Sequence, residues 1–408
     1  MPEQWREAPP TAGLPLRWRD FLPRRASFED GLASFLNVPA VQVECSGTAA
    51  LIITLTALKR SSTRRSVVVP AYTCPLVVLA VIHCGLQPVL CDLGSDTFDI
   101  SQPALDRLVN DDTLAIIPTH LGGRIADIAT VIAIARRKGA LVIEDAAQAF
   151  GATINGQAAG TLADAGFYSL AVGKGLTLYE GGVLVARDGG LRQLLRETSQ
   201  SIAPYRLSWE VRRLAELAGY ALLYRPAALK LSYGISLRRK LRRHNVIDAV
   251  GDNFSTAIPL HGVGAWRRSI GANALKRLPA FLDTIAGQAV RRIEKLRGHG
   301  VTVITDPPNG RGTWPFLMVL MPSERARDAA LARLWPAGLG VGRLFIHALP
   351  DYDYLDSTLK SSDVPNARDF AARMLTITNS PWLDDAGFAH ICAVLAASIT
   401  TTMTAGAD

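Results

Sequence analysis

The chain reads as an α/β protein, a mostly parallel sheet with helices on both faces, followed by a smaller C-terminal α+β domain. Three observations carry this. Between residues 41 and 190, short β-branched runs alternate with longer helical patterns, the order that parallel strands and crossover helices require. The 408 residues are 49% hydrophobic and 20% charged, which suits a globular chain with room for two or three domains. From residue 200 the alternation stops, and apolar residues mix with arginines.

Residues 1–40 read as an arm and a first helix over 28–35. VVV (67–69), PVLCD (88–92), LAIIP (114–118) and ALVIED (140–145) are expected as buried strands, and GGVLVAR (181–187) as another. Between them PLVVLAVIHCG (75–85), LDRLV (105–109) and ADIATVIAIARRKG (126–139) read as helices. The last should bury Ile128, Val131, Ile132 and Ala135. It ends in Arg136, Arg137, Lys138 and Gly139, as the helix dipole and a left-handed cap favour. Pro226 should split 200–255 into two helical pieces. A helical stretch over 272–297, a strand in TWPFLMVLM (313–321) and helices over 323–334 and 385–397 complete the smaller domain. The expected divisions are 1–40 (arm and helix), 41–199 (large domain), 200–255 (basic helical insertion) and 256–408 (small domain).

The N-terminus lacks a basic start followed by an apolar stretch, so no secretory signal is expected. Nowhere do roughly 18 apolar residues run uncharged, so no spanning helix is expected either. Five cysteines without a CxxC pair read as reduced thiols in a cytoplasmic protein. Seven histidines without ligand spacing argue against a structural metal.

Three constellations carry chemistry. CSGTAALIITLTAL (45–58) opens a small-residue turn directly into a helix, whose unpaired N–H groups and dipole suit a phosphate. Asp145 ends a central strand, where a carboxylate is costly to bury without a cation. Gln148 lies about one turn further on. Ser169 precedes Lys174 by five residues. The serine could donate to a phosphate while the lysine reaches an aldehyde carbon. Each has a bland alternative: an ordinary helix cap at Ser46–Gly47 or at Asp145, and a surface lysine in a loop. Their order along the chain favours pyridoxal phosphate, with Lys174 as its Schiff-base lysine and Asp145 holding its ring nitrogen protonated.

Together with VVVPAYTCPLVVLAVIHCGLQPVLCD, AIIPTHLGG and GKGLTLYEGG, these motifs make the chain resemble the DegT/DnrJ/EryC1/StrS family of pyridoxal-phosphate aminotransferases. The resemblance is dense from about 41 to 190 and visible again at LPAFL (278–282) and RMLTITNSPWL (373–383). It implies an aspartate-aminotransferase-like fold in a homodimer with shared active sites. It implies Gly47, Thr48 and Ala49 as phosphate amides and cofactor roles for Asp145, Gln148, Ser169 and Lys174. The activity implied is transfer of an amino group from glutamate or glutamine to a keto-sugar, typically nucleotide-linked, by way of a Lys174 aldimine. There are departures. Cys74 stands where the family stacks an aromatic on the cofactor ring, with Tyr72 as a possible substitute, and Tyr179 stands where it has glycine. An Asn–Tyr–Arg stretch has no counterpart near 255–265.

Net charge is +8, and residues 206–243, with ten Lys/Arg against two Glu, carry all of it. This segment admits three readings: an interface or lid insertion, a funnel for an anionic substrate, or an amphipathic element on the inner membrane surface. Two alternatives to a keto-sugar enzyme follow: the same cofactor with a lipid-like carbonyl substrate at a membrane, or a non-catalytic regulator or scaffold. Nucleic acid is not favoured, because no recognised nucleic-acid module is present.

Overall fold

A computed structural model describes residues 6–23, 26–355 and 357–404; the first five residues of the expected arm lie outside it. Its centre is a seven-stranded sheet in the order Gln42–Glu44, Gly182–Ala186, Ala165–Ser169, Leu141–Asp145, Thr113–Ile116, Ser66–Pro70, Gln87–Cys91. The last five pair in parallel, and the first two join antiparallel. Ser66–Pro70, Ala165–Ser169 and Gly182–Ala186 are buried at every position. That is why these runs are continuously apolar rather than alternating.

The crossover helices Pro75–His83, Gln102–Leu108 and Ile128–Arg137 fall where expected. The Asp127 side chain caps the last by accepting from Thr130 N at 3.1 Å. Its buried face is Ile128, Val131, Ile134 and Ala135, so Ile134 replaces the expected Ile132, which is half-buried. Gly139 then takes φ 63°, the left-handed cap its sequence suggested.

A second sheet is antiparallel: Thr302–Val303, Phe316–Leu320, Met374–Thr378, Val341–Gly342. It shares a buried cluster with the helices Leu278–Leu296, Glu324–Leu334 and Asp385–Thr404. The single helical stretch expected over 272–297 is two helices, Ala265–Leu275 and Leu278–Leu296. Pro279 in the first turn of the second can begin a helix but not continue one.

The segment 200–255 is helical in pieces: Leu207–Leu223, then Pro226–Leu229 running through a π-helical stretch (Lys230–Gly234) into Ile235–Arg242, then Val246–Val250. Pro226 opens the second piece. Several of its cations are paired: Arg213 with Glu180 and Glu216, Arg212 with Glu216, Arg238 with Glu7. A deeper tie joins it to the helix Ala265–Leu275. There Glu210 accepts from Arg267 Nε and Nη2 (2.9 and 2.7 Å), and Arg267 Nη1 donates to the Glu180 carbonyl at 2.7 Å. Among the described residues, no helix is long and apolar enough to cross a membrane.

Candidate functional site

Strand ends and one helix start meet at a single cavity. Asp145 closes the strand Leu141–Asp145, and Phe167 of the neighbouring strand Ala165–Ser169 is its register partner. Ser169 ends that neighbour, and the chain then turns through Gly173 to Lys174. Behind them starts the helix Gly47–Arg60, capped by Ser46. Gly47, Thr48, Cys74, Asp145, Gln148, Ser169 and Lys174 all line this cavity of about 480 Å³.

The approach is close because a glycine permits it. A Cβ on Gly182 would overlap the Ser46 carbonyl and stand 2.7 Å from Gly47 N. The strand Gly182–Ala186 can therefore lie against the helix start only with glycine there. The N–H groups of Gly47 and Thr48, in the first turn, have no intrahelical acceptor. Ala49 differs from expectation. Its N–H donates to Ser46 Oγ at 3.0 Å, and it does not line the cavity.

Asp145 is held by its backbone and by its neighbours. Its N–H donates to Pro118 O, and its carbonyl accepts from His120 N, both at 2.9 Å. Next to it, buried Glu144 accepts from the N–H groups of Gly160, Leu162 and Ala163 at 2.6–2.7 Å. Glu144 also bonds His120 Nε2 at 2.9 Å, while His120 Nδ1 accepts from Ala126 N at 3.1 Å. That acceptance fixes the tautomer: the proton is on Nε2. Asp145 Oδ1 accepts from Ala147 N at 3.0 Å.

Burial pushes the Asp145 carboxyl above its ordinary value, with the Ala147 N–H and Lys174 only partly opposing it. Burial lowers Lys174, against the opposing pull of Cys74 and Asp145. Among the described residues, no carboxylate lies within ion-pair distance of its ammonium. Burial also pushes the Cys74 thiol up to about 12, so it is a neutral, packing sulfur. Gln148 Oε1 accepts from Gly122 N at 2.7 Å, which leaves its NH₂ as a donor.

Tyr72 does not substitute for a stacking aromatic. It is 1% exposed, its hydroxyl donates to Phe345 O at 3.1 Å, and its ring packs on Phe345 and Phe370 away from the cavity. The aromatic lining is Phe167, Phe254 and Phe345. Three lining residues carried no local signal: Phe345, Phe254 and Asp252, the last two from the end of the 200–255 segment. Asp252 accepts from Tyr352 Oη at 2.7 Å and Ile346 N at 2.8 Å, and burial raises its carboxyl to about 6. Tyr179, in the place of a glycine, keeps a glycine conformation, φ 67°.

These residues fit pyridoxal phosphate. A buried acid with no cation in ion-pair contact suits a ring nitrogen, and a lysine of lowered basicity suits an aldehyde. Free N–H groups beside Ser169 suit a phosphate.

Residues 16–206 match the model of the DegT/DnrJ/EryC1/StrS aminotransferase family. It is 36% identical to the GDP-perosamine synthase of Caulobacter vibrioides over 45% of this chain, but that match spans only 49% of the relative's length. It is 25% identical over 92% of its length to the spore coat polysaccharide biosynthesis protein SpsC of Bacillus subtilis, covering 89% of that protein. Among solved structures it is similar to the aminotransferase TlmJ of Streptoalloteichus hindustanus, with TM-score 0.71 and 22% identity, covering 96% of this chain and 93% of that one.

Proposed function

We propose that this chain is a pyridoxal-phosphate aminotransferase that moves an amino group from glutamate or glutamine to the carbonyl of a keto-sugar. The observation that carries this is the convergence of Lys174, Asp145, Ser169 and the Gly47–Thr48 helix start on one cavity. The sugar assignment is supported by relatives named for sugar and polysaccharide chemistry. A homodimer belongs to the same proposal and rests on the family alone.

Bound at this site, the cofactor would supply an electron sink for the carbon that gains or loses nitrogen. Asp145 would keep a proton on the ring nitrogen, its own buried charge offset by that pyridinium. Gly47, Thr48 and Ser169 would hold the phosphate and fix the ring's position. Gln148 would donate its amide N–H toward the ring oxygen. Cys74 and Phe345 would pack against the ring and exclude water. Lys174, of lowered basicity, would carry the proton between the substrate carbon and the cofactor.

The test is the absorption spectrum of the protein with pyridoxal phosphate, before and after L-glutamate or L-glutamine. A visible band that an amino donor removes is expected. Lys174→Ala should show no such band, and a wild-type-like spectrum from that variant would end the assignment. A band unmoved by any amino donor would leave a cofactor-binding scaffold as the better description.

A further inference from the structure

A second cavity, of about 680 Å³, lies on the other side of the lysine loop and shares Ala147, Gln148, Val172, Lys174 and Leu344 with the first. A molecule in it touches the reacting lysine. Its far walls come from the N-terminal arm (Pro9–Ala12) and the helix Leu207–Leu223 with the residues after it. The Lys/Arg-rich segment thus turns one face inward here.

That inward face is apolar and aromatic. It contributes Tyr220, Leu223 and Tyr224 to the cavity, and Phe150, Tyr179 and Phe316 line it from the rest of the chain. Tyr220 and Tyr224 stack with centroids 4.7 Å apart and planes at 28°. Tyr224 Oη donates to the Thr11 carbonyl at 3.0 Å and accepts from Gly13 N at 3.3 Å, so this wall is fixed before anything binds. Tyr179 adds its ring from a left-handed backbone position that disfavours any Cβ.

The described lining that this chain contributes offers little to hold a diphosphate. Lys174 is the only Lys or Arg among the lining residues, and the carboxylate there, Glu216, is engaged by Arg212 and Arg213. Phosphate groups are held by arginine forks, lysines or helix starts, and among the described residues lining this cavity only Lys174 is such a cation. A volume of this size and a tyrosine-rich wall suit a neutral ring system with a few hydroxyl or ether oxygens.

We infer that the acceptor carries a neutral apolar or aromatic group in place of a nucleotide. That group fills the arm-and-insertion cavity while its carbonyl reaches Lys174. The inference rests on the aminotransferase proposal above. Over both halves of that reaction the donor's amino carbon becomes a carbonyl and the acceptor's carbonyl becomes an amine. Water consumed in one half is released in the other, so no outside oxidant or reductant is needed.

The test uses 4-phenylcyclohexanone as the neutral aromatic ketone and uridine diphosphate as the charged probe, by calorimetry on the pyridoxal-phosphate-loaded protein. Gly219 lines the cavity inside the insertion helix, and a Cβ there meets nothing within 4 Å. Gly219→Phe therefore fills the cavity, and it removes a helix-weakening glycine. Expected are ketone binding by wild type, weakening of at least tenfold in Gly219→Phe, and no change in the visible cofactor band. Tyr179→Gly, which removes an aromatic wall and relieves a strained backbone, should weaken the ketone about fivefold.

Uridine diphosphate displacing the ketone, or losing affinity in Gly219→Phe while the ketone does not, would overturn the inference. So would absence of ketone binding by wild type. A changed oligomeric mass in Gly219→Phe would place a partner chain in the cavity and also overturn it. If the cofactor band never forms, the aminotransferase proposal falls, and calorimetry without cofactor still reads the cavity.

Discussion

At the residue scale, the site holds two acids that burial treats alike and that their partners separate. Asp145 has the Ala147 N–H and, beyond ion-pair distance, Lys174, and both oppose the effect of burial. Asp252 has only the Tyr352 hydroxyl, the Ile346 N–H and the more distant Arg343, and its carboxyl rises from 3.8 to about 6. The folded protein therefore holds a proton on Asp252 that the unfolded chain has already lost. Its contribution to stability is fully present below about pH 3.8 and is lost as pH rises through about 6, an effect of about 3 kcal/mol. Asp252→Asn keeps an acceptor for Tyr352 and Ile346 and cannot ionise. Between pH 4 and 7, denaturant titration should show wild type losing stability more steeply than Asp252→Asn, by about that amount. Equal slopes would mean that the Asp252 carboxylate is solvated.

At the element scale, the helix start at Gly47 works only because the strand Gly182–Ala186 lies against it. Gly182→Ala would drive a Cβ into the Ser46 carbonyl and to 2.7 Å from Gly47 N, backbone atoms that cannot move aside cheaply. The helix start must shift, and cofactor affinity should fall by roughly tenfold or more, while the sheet, paired on both sides, survives. Equilibrium dialysis of the cofactor alongside far-UV circular dichroism separates these effects; unchanged affinity would remove the Gly47 turn from the phosphate site. Much of this half was legible in the chain. Buried parallel strands are continuous apolar runs, and the acid, serine and lysine sit at strand ends or in the adjoining loop, so local pattern and site coincide. The Ala49 N–H goes to the Ser46 hydroxyl, a choice between two acceptors that sequence does not express. Phe345, Phe254 and Asp252 were invisible for another reason. They reach the cavity from more than 70 residues beyond Lys174, through packing of the second sheet and the insertion rather than through a motif of their own.

At the scale of the whole molecule, the N-terminal arm stitches together parts that lie far apart in the chain. Glu7 N bonds Pro226 O, Ala8 N bonds Gly338 O, Ala12 N bonds Pro315 O and Leu14 N bonds Gly175 O, at 2.8–3.0 Å. One strip of backbone thus touches the insertion, the second sheet's surroundings and the lysine loop. Glu7, 2% exposed, also pairs with Arg238 at 2.9 Å. Gly234 makes room for it, since a Cβ there would overlap the Glu7 carboxylate. The second helical piece of the insertion is therefore held from outside by the arm as well as by its own contacts. Removing residues 1–12 deletes the donors Glu7, Ala8 and Ala12 and leaves Arg238 without its carboxylate, a loss larger than a surface ion pair represents. Local opening of residues 226–243 should then precede global unfolding. Trypsin under native conditions should cut the truncated protein at Lys230 and Arg238 about tenfold faster than the full chain, read by mass spectrometry, with cleavage elsewhere little changed. Equal rates at those two sites would mean that the insertion stands by its own packing, with the Glu210–Arg267 tie sufficient to hold it.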